Sequence, residues 1–94
     1  MELKGKLKVI NDVVQVSEKF KRRDVVITTD DKYPQDVLVQ FSQDNVLLVD
    51  EFVLEDEVTI GYNIRGREWV NPKTGEVKYF NTIEGWRIVG NSIF

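Results

Sequence analysis

The segment VTIGYNIRGREWVNPKTGEVKYFNTIEGW, which runs from Val58 to Trp86, carries the strongest fold signal in the chain. Apolar and polar residues alternate from Val58 to Arg65, and this pattern predicts a strand with one buried face. The residues Asn71–Gly75 then predict a turn, because proline suits the second turn position and glycine the left-handed one that returns the chain. A further strand is predicted from Tyr79 to Val89. The segment therefore indicates a long β-hairpin.

The large apolar residues of the second strand of this hairpin do not all fall on one face of a regular strand. Phe80 and Trp86 share one parity, whereas Ile83 and Val89 share the other. Gly85 is a natural position for a bulge that exchanges the two faces of the strand. Because Trp86 lies in the middle of the strand among apolar residues, we expect its side chain to be buried.

Three more strands and one short helix are predicted ahead of the hairpin. Alternating apolar residues and clusters of Val and Ile place the strands at 3–16, 23–29 and 37–41. Gly5 and the pair Asn11–Asp12 interrupt the first of them, at a bend or a kink. The helix is predicted at 43–48, with Ser42 or Asp44 as its N-cap.

This order of elements, three strands, a short helix and a two-stranded hairpin, is that of a five-stranded Greek-key barrel, the OB-fold. We therefore expect an all-β protein with its helix between strands 3 and 4, forming a single domain over residues 1–94. Such barrels bind oligonucleotides on the face of strands 2 and 3, between the loops that join strands 1 and 2 and strands 4 and 5. Another small closed barrel without a ligand is the alternative architecture.

The composition excludes several kinds of catalytic site. The chain has no histidine and no cysteine, so it cannot build a Ser-His or Cys-His nucleophile, an imidazole acid-base or a zinc site of the usual kind. Adjacent acids remain at 30–31, 50–51 and 55–57. Neighbours on a strand point to opposite faces, and acids in turns are usually solvated. We therefore expect no enzymatic activity, no cofactor and no metal.

Formal charge is unevenly distributed along the chain. The net charge is −3, yet residues 44–57 carry six acids and no base, which leaves +3 for the rest of the chain. Basic residues cluster at 19–23 and again at 65–78. A local groove can be positive although the whole protein is acidic. The alternative interpretation of both clusters is a charged surface that binds no ligand and keeps strand edges soluble.

The two basic clusters also contain aromatic side chains, and the combination suits a single-stranded nucleic acid. Guanidinium groups hold phosphate, and an exposed ring offers a face on which any base can stack. The predicted binding residues are Phe20, Lys21, Arg22, Arg23, Arg65, Arg67, Trp69, Lys73, Lys78 and Tyr79. Because neighbours on a strand alternate in direction, only one of Arg22 and Arg23 should face the ligand. The alternative is that Trp69 is half-buried hairpin packing and that Phe20 packs under the loop before strand 2.

Parts of the chain resemble known proteins. Val58-Thr-Ile-Gly-Tyr-Asn-Ile-Arg-Gly-Arg-Glu-Trp69, followed by Tyr79-Phe-Asn-Thr, resembles strands 4 and 5 of bacterial single-stranded DNA-binding proteins, and Met1-Glu-Leu-Lys-Gly5 resembles their first strand. The whole chain is also similar to a family of small bacterial and phage domains of unknown function with the same OB fold, through Lys21-Arg-Arg-Asp-Val-Val-Ile27, Tyr33-Pro34, Asp56-Glu-Val58, Arg65-Gly-Arg-Glu-Trp69 and Gly85-Trp-Arg-Ile88. These resemblances imply binding of single-stranded DNA, in replication or repair, with Trp69 at a position where the DNA-binding proteins stack a base.

Further expectations concern partners and location. The ligand is expected to be single-stranded DNA, bound with little sequence preference, and RNA stays open as an alternative. The apolar runs are too short to span a bilayer and the N-terminus lacks the apolar region of a signal peptide, which predicts a cytoplasmic protein. Folds of this kind often pair edge strands or barrel faces, so a homodimer or tetramer is expected.

A function from another class stays open. The single-stranded DNA-binding proteins usually carry a disordered acidic tail that recruits partners, whereas this sequence has no acid after Glu84. The net charge of −3 is also unusual for a protein that binds a polyanion. Both features fit an OB-fold protein–protein adaptor or structural module, which is the alternative function.

Overall fold

The structure is a computed structural model that describes residues 1–91, so the last three residues of the predicted domain lie outside the described range. Within that range six strands and one helix follow one another. They are β1 (Glu2–Ile10), β2 (Val14–Ser17), β3 (Phe20–Thr29), β4 (Asp36–Ser42), a 3-10 helix (Gln43–Glu51), β5 (Glu57–Val70) and β6 (Val77–Gly90). The predicted order of strands and helix is confirmed, although residues 11–13 divide the first predicted strand into β1 and β2.

The strands pair into one sheet whose bonding closes on itself. β1 pairs antiparallel with both β3 and β5, β3 pairs with β4, and β5 pairs with β6. A parallel bridge between Gln40 of β4 and Glu84 of β6 completes the ring. Among the described residues, β2 pairs with β3 alone and lies outside the ring. The predicted all-β class is confirmed, with five strands in the ring and β2 as an additional strand.

Apolar side chains that alternate along each strand fill the interior of the ring, as a pleated strand requires. The fully buried residues include Leu7, Val25, Ile27, Val39, Phe41, Val46, Val49, Val58 and Ile60. Two glycines allow close approach, Gly5 to the backbone of β3 and Gly85 to the core. A Cβ on Gly5 would lie 1.9 Å from the carbonyl oxygen of Thr28 in β3. A Cβ on Gly85 would lie 2.6 Å from the ring of Phe41, the largest fully buried side chain.

The helix between β4 and β5 is longer than the predicted 43–48 and has 3-10 geometry. Ser42 is at its N-cap, but the Ser42 side chain makes no capping hydrogen bond. Gln43 has a φ of 53°, and its side-chain amide donates to the carbonyl of Lys19 and accepts from the N–H of Lys21. Gln43 thus holds the start of β3, where Phe20 lies. No helix in residues 1–91 is both long and apolar enough to cross a membrane.

β5 and β6 extend beyond the ring as a two-stranded hairpin. Their pairing continues to Val70 opposite Val77, and the predicted turn joins them. Gly75 in this turn has a φ of 74°, a left-handed value that glycine adopts without strain. Every residue of β5 from Asn63 to Val70 is exposed. This part of the hairpin therefore presents two open faces to solvent.

A bulge in β6 corrects one expectation from the sequence. Gly61 pairs with Arg87 and Tyr62 pairs with Gly85, which leaves Trp86 as the extra residue on the bulged strand. The bulge adjoins Gly85, as predicted, but it turns Trp86 outward. Trp86 is 48% exposed, so the prediction that it is buried is wrong. The physical reason is that the extra residue changes which side chains of β6 face the core.

Candidate nucleic-acid interface

Cross-strand pairs give the exposed part of the hairpin two chemically different faces, because paired residues share a face and faces alternate along each strand. One face, the outer ladder, carries Arg65, Arg67 and Trp69 of β5 opposite Thr82, Phe80 and Lys78 of β6. The other face, the apolar face, carries Ile64, Gly66, Glu68 and Val70 opposite Ile83, Asn81, Tyr79 and Val77. The cationic side chains of the two strands are therefore concentrated on the outer ladder.

The outer ladder forms one wall of an open groove of about 450 Å³, and β3 and β4 form the other. The lining residues are Phe20, Arg22, Gln40, Arg65, Gly66, Arg67, Phe80, Asn81 and Thr82. Four of the predicted binding residues, Phe20, Arg22, Arg65 and Arg67, thus meet in one groove although they come from distant parts of the sequence. The groove combines three guanidinium groups with two phenyl rings.

Two arginines of the outer ladder make weak side-chain contacts. The guanidinium carbon of Arg67 lies 5.6 Å from the centroid of the Phe80 ring, within the range of a cation–π contact. Nη2 of Arg65 lies 3.3 Å from Oε1 of Glu84. The side chain of Arg65 is 65% exposed, so solvent screens this ion pair. A guanidinium has five N–H donors, and Arg65 therefore retains donors for a phosphate.

Arg22 and Arg23 point in opposite directions, as strand alternation predicts. Arg22 is exposed and lines the groove. On the other side, Nε of Arg23 donates to the carbonyl of Asn11, and its Nη1 contacts Asp50 and the carbonyl of Val46. Only 13% of the Arg23 side chain is exposed. Arg23 therefore links the helix to β3 and, although it is among the predicted binding residues, does not line the groove.

Trp69 and Lys78 extend the groove along the hairpin. They face each other on the outer ladder, one same-face pair beyond Arg67 and Phe80. Trp69 is 41% exposed, which leaves a large part of its indole open to solvent. A strand that leaves the groove toward the hairpin tip would meet this ring and the Lys78 ammonium group next.

Besides Arg23, three predicted binding residues lie away from the groove. Tyr79 is on the apolar face, where its hydroxyl oxygen lies 3.4 Å from Oε1 of Glu68. Lys21 points away from Arg22, because neighbours on a strand alternate. Lys73 lies in the turn at the hairpin tip. The pleat of the strands accounts for the first two positions, and the length of the hairpin accounts for the third.

Sequence reasoning missed three side chains of the groove, namely Gln40, Phe80 and Thr82. A signal for Phe80 was available, since the register of the predicted turn sets Phe80 opposite Arg67. Gln40 carried no comparable signal. It reaches the groove because β4 meets β6 in a parallel bridge at Glu84, and such a long-range pairing leaves no local trace in the sequence.

A second cavity, of about 490 Å³, is a weaker candidate for binding a polyanion. Its charged lining residues are Lys4, Lys6, Asp30 and Glu57, so two lysines are balanced by two carboxylates. The next lysine along β1 is engaged as well, because Nζ of Lys8 lies 2.7 Å from Oδ2 of Asp36. Hydrogen bonds from Lys8 and then from Thr28 lower the pKa of the Asp36 carboxyl. The groove beside the hairpin is therefore the more basic of the two cavities.

Comparison with known proteins relates almost the whole chain to one family. One protein-family model, described as a domain of unknown function (DUF3127), matches residues 2–89. No curated protein matches the sequence significantly. The match bears out the expected relationship to a family of domains of unknown function. The resemblance to single-stranded DNA-binding proteins stays a prediction.

Proposed function

The chain belongs to the DUF3127 family, described as a domain of unknown function, and we propose from the groove itself that the protein binds single-stranded DNA. Phosphates contact the guanidinium groups of Arg22, Arg65 and Arg67, and bases stack on exposed aromatic rings. Binding has little sequence preference and needs no cofactor. The protein acts as a non-enzymatic OB-fold module in the cytoplasm.

The observation that carries this proposal is the position of Arg22 across one groove from Arg65 and Arg67. Arginines on both walls of an open groove suit a polyanion that lies between them. Arginines that only keep a surface soluble would not be expected to face one another across a groove. The groove also lies between β3–β4 and the long hairpin. β3 and β4 are the second and third strands of the ring in chain order, and OB-folds bind oligonucleotides on the face of their second and third strands, which supports the proposal.

Aromatic rings on the outer ladder support the low sequence preference. Phe80 is 47% exposed and Trp69 is 41% exposed, and both lie on the same side of the hairpin. Stacking of a base on an aromatic ring contributes about 1–3 kcal/mol and accepts any base, because every base has a π face. Nothing in this mode of binding selects one base strongly over another.

The acidic balance of the whole protein does not oppose the proposal. Six acids lie in residues 44–57, which form the 3-10 helix, the loop after it and the first residue of β5. None of these acids lines the groove. Attraction of a nucleic acid depends on the local potential of the groove more than on net charge.

Tryptophan fluorescence during titration with an oligothymidine at two salt concentrations tests the proposal. We expect quenching and an affinity that falls with salt, with a log–log slope of about −0.7 per phosphate contacted. A parallel titration with an oligouridine distinguishes DNA from RNA. The absence of any signal at low salt, up to high micromolar oligothymidine, would overturn the proposal.

Protein–protein contact is a second candidate function, favoured by the apolar face of the hairpin. Its exposed apolar residues are Ile64 (58%), Val70 (51%), Val77 (44%) and Tyr79 (73%). Contiguous exposed apolar surface is typical of interaction sites, and a two-stranded ribbon with no packed face is only marginally stable. A second copy of this chain, in a homodimer or tetramer, would cover this face. A sedimentation series that stays monomeric at every concentration would contradict self-association.

A further inference from the structure

We propose that the nucleic-acid site continues beyond the groove to Trp86, which forms a second stacking platform where the hairpin joins the ring. This inference rests on the proposed function and extends its site. Trp86 is 48% exposed and does not line the groove, so neither core packing nor the groove explains a large aromatic residue at this position.

The bulge in β6 exposes the Trp86 side chain at the surface. Opposite Gly61, β6 contributes two residues, Trp86 and Arg87, in place of one. A Cβ on Gly61 would lie 3.1 Å from two carbon atoms of the indole and 3.4 Å from Cβ of Arg87. Gly61 therefore provides the space in which the indole lies against β5. Bulges commonly re-aim a side chain beside a functional site.

Strand alternation places Trp86 on the same side of the hairpin as the outer ladder. Counting by twos along β5 from Trp69 leads through Arg67, Arg65 and Asn63 to Gly61, against which the indole of Trp86 lies. This span of eight residues corresponds to roughly 27 Å at about 3.4 Å per residue. One continuous side of the hairpin thus connects the two tryptophans.

Two arginines flank Trp86 along this side, and each lies near a carboxylate. Arg65 lies between the two tryptophans, and Arg87 follows Trp86 directly. Nη1 of Arg87 lies 4.0 Å from Glu2, and both side chains are 53% exposed, so this ion pair is screened and weak. The other carboxylate on this side, Glu84, lies 3.3 Å from Arg65, so this end of the site supplies an aromatic ring more than net positive charge. The chemistry that fits is a single strand of nucleic acid longer than the groove itself.

A variant with one tryptophan tests the platform directly. The chain has two tryptophans, so Trp69→Phe leaves Trp86 as the only one. OB-folds bind about 4–16 nucleotides, and we compare oligothymidines near the two ends of that range. We expect the long oligothymidine to quench Trp86 strongly. The short one should quench it far less, because the arginines of the groove hold it away from Trp86.

Affinity measurements with Trp86→Ala give an independent test. We expect binding of the long oligothymidine to weaken about five- to a hundred-fold, as loss of one stacking contact predicts, and binding of the short one to change little. Tyr33→Ala is the matched control, because Tyr33 is an exposed aromatic residue in the loop between β3 and β4 and does not line the groove. Its affinity should equal that of the wild type. Trp86→Phe should retain part of the lost affinity.

The outcomes separate this inference from the proposed function. Suppose that the wild type binds oligothymidine, that Trp86 emission does not respond and that Trp86→Ala binds normally. The proposal that Trp86 stacks a base is then wrong, and the proposal for the groove stands. If the wild type binds no oligothymidine, both proposals fall. Should Trp86→Ala not fold, the emission of the Trp69→Phe variant decides the question alone.

Discussion

The guanidinium carbon of Arg67 lies 5.6 Å from the centroid of the Phe80 ring, and the two residues are partners across the β5–β6 pair. A cation and an aromatic face are thereby joined at one position on the wall of the groove. Exposed cation–π contacts contribute only about 0.5–1 kcal/mol, which is small enough for a phosphate to recruit the guanidinium. The pair therefore supplies both contributions that the proposed function requires, charge and stacking.

Replacing Arg65 and Arg67 together by alanine should flatten the salt dependence of oligothymidine binding. Each lost phosphate contact removes about 0.7 from the log–log slope, so we expect a change of up to about 1.4. The measurement is the dissociation constant at several salt concentrations. Lys32→Ala, in the loop between β3 and β4, is the control and should leave the slope unchanged. An unaltered slope in the double variant would argue that these arginines do not contact phosphate.

Arg22→Ala should impair binding, whereas Arg23→Ala should impair stability. Arg22 is exposed in the groove, so its loss should weaken binding and leave the thermal midpoint near that of the wild type. Loss of Arg23 removes the donors for two backbone carbonyls and the partner of Asp50. We expect it to lower the free energy of unfolding by about 1–3 kcal/mol. Thermal melts and fluorescence titrations of both variants check this, and equal losses of binding would indicate diffuse attraction instead of a defined groove.

Trp69→Ala should weaken binding without unfolding the protein. Trp69 is 41% exposed on a hairpin that extends beyond the ring, so little core packing depends on it. We expect oligothymidine binding to weaken about five- to a hundred-fold, in line with the loss of one stacked base. Circular dichroism melts and titrations followed by Trp86 emission or fluorescence anisotropy give both quantities. A variant that melts early and still binds normally would assign Trp69 to hairpin packing.

Two glycine substitutions should damage the ring, whereas a third should be tolerated. Ala at Gly5 would set its Cβ 1.9 Å from a backbone oxygen, and Ala at Gly85 would set its Cβ 2.6 Å from the Phe41 ring. We expect each to cost about 3 kcal/mol, the upper end of overpacking costs, of the roughly 5–15 kcal/mol available to a domain. In Gly66→Ala the new Cβ would lie 3.3 Å from the flexible Asn81 side chain, which can move. Urea unfolding of the three variants should therefore separate Gly66 from the other two.

Much of the local structure could be predicted because neighbouring residues encode it. The alternation from Val58 onward and the Pro and Gly of the turn act over a few residues, so the hairpin and its turn were predictable. The same holds for the opposite directions of Arg22 and Arg23, which follow from the pleat alone. The absence of His and Cys likewise limits the possible chemistry before any fold is known.

Which side of each strand faces the core depends on contacts between distant segments. The sequence could not assign Trp86, because both parities of β6 carry large apolar residues and one bulged residue opposite Gly61 decides between them. Nor could it show that Arg22 faces Arg65, since that depends on how β3 and β4 close the ring against β6 at Gln40 and Glu84. Periodicity and turn chemistry act between near neighbours, whereas ring closure and the position of the bulge depend on pairing between strands that lie far apart in the sequence. The groove is a product of this long-range pairing.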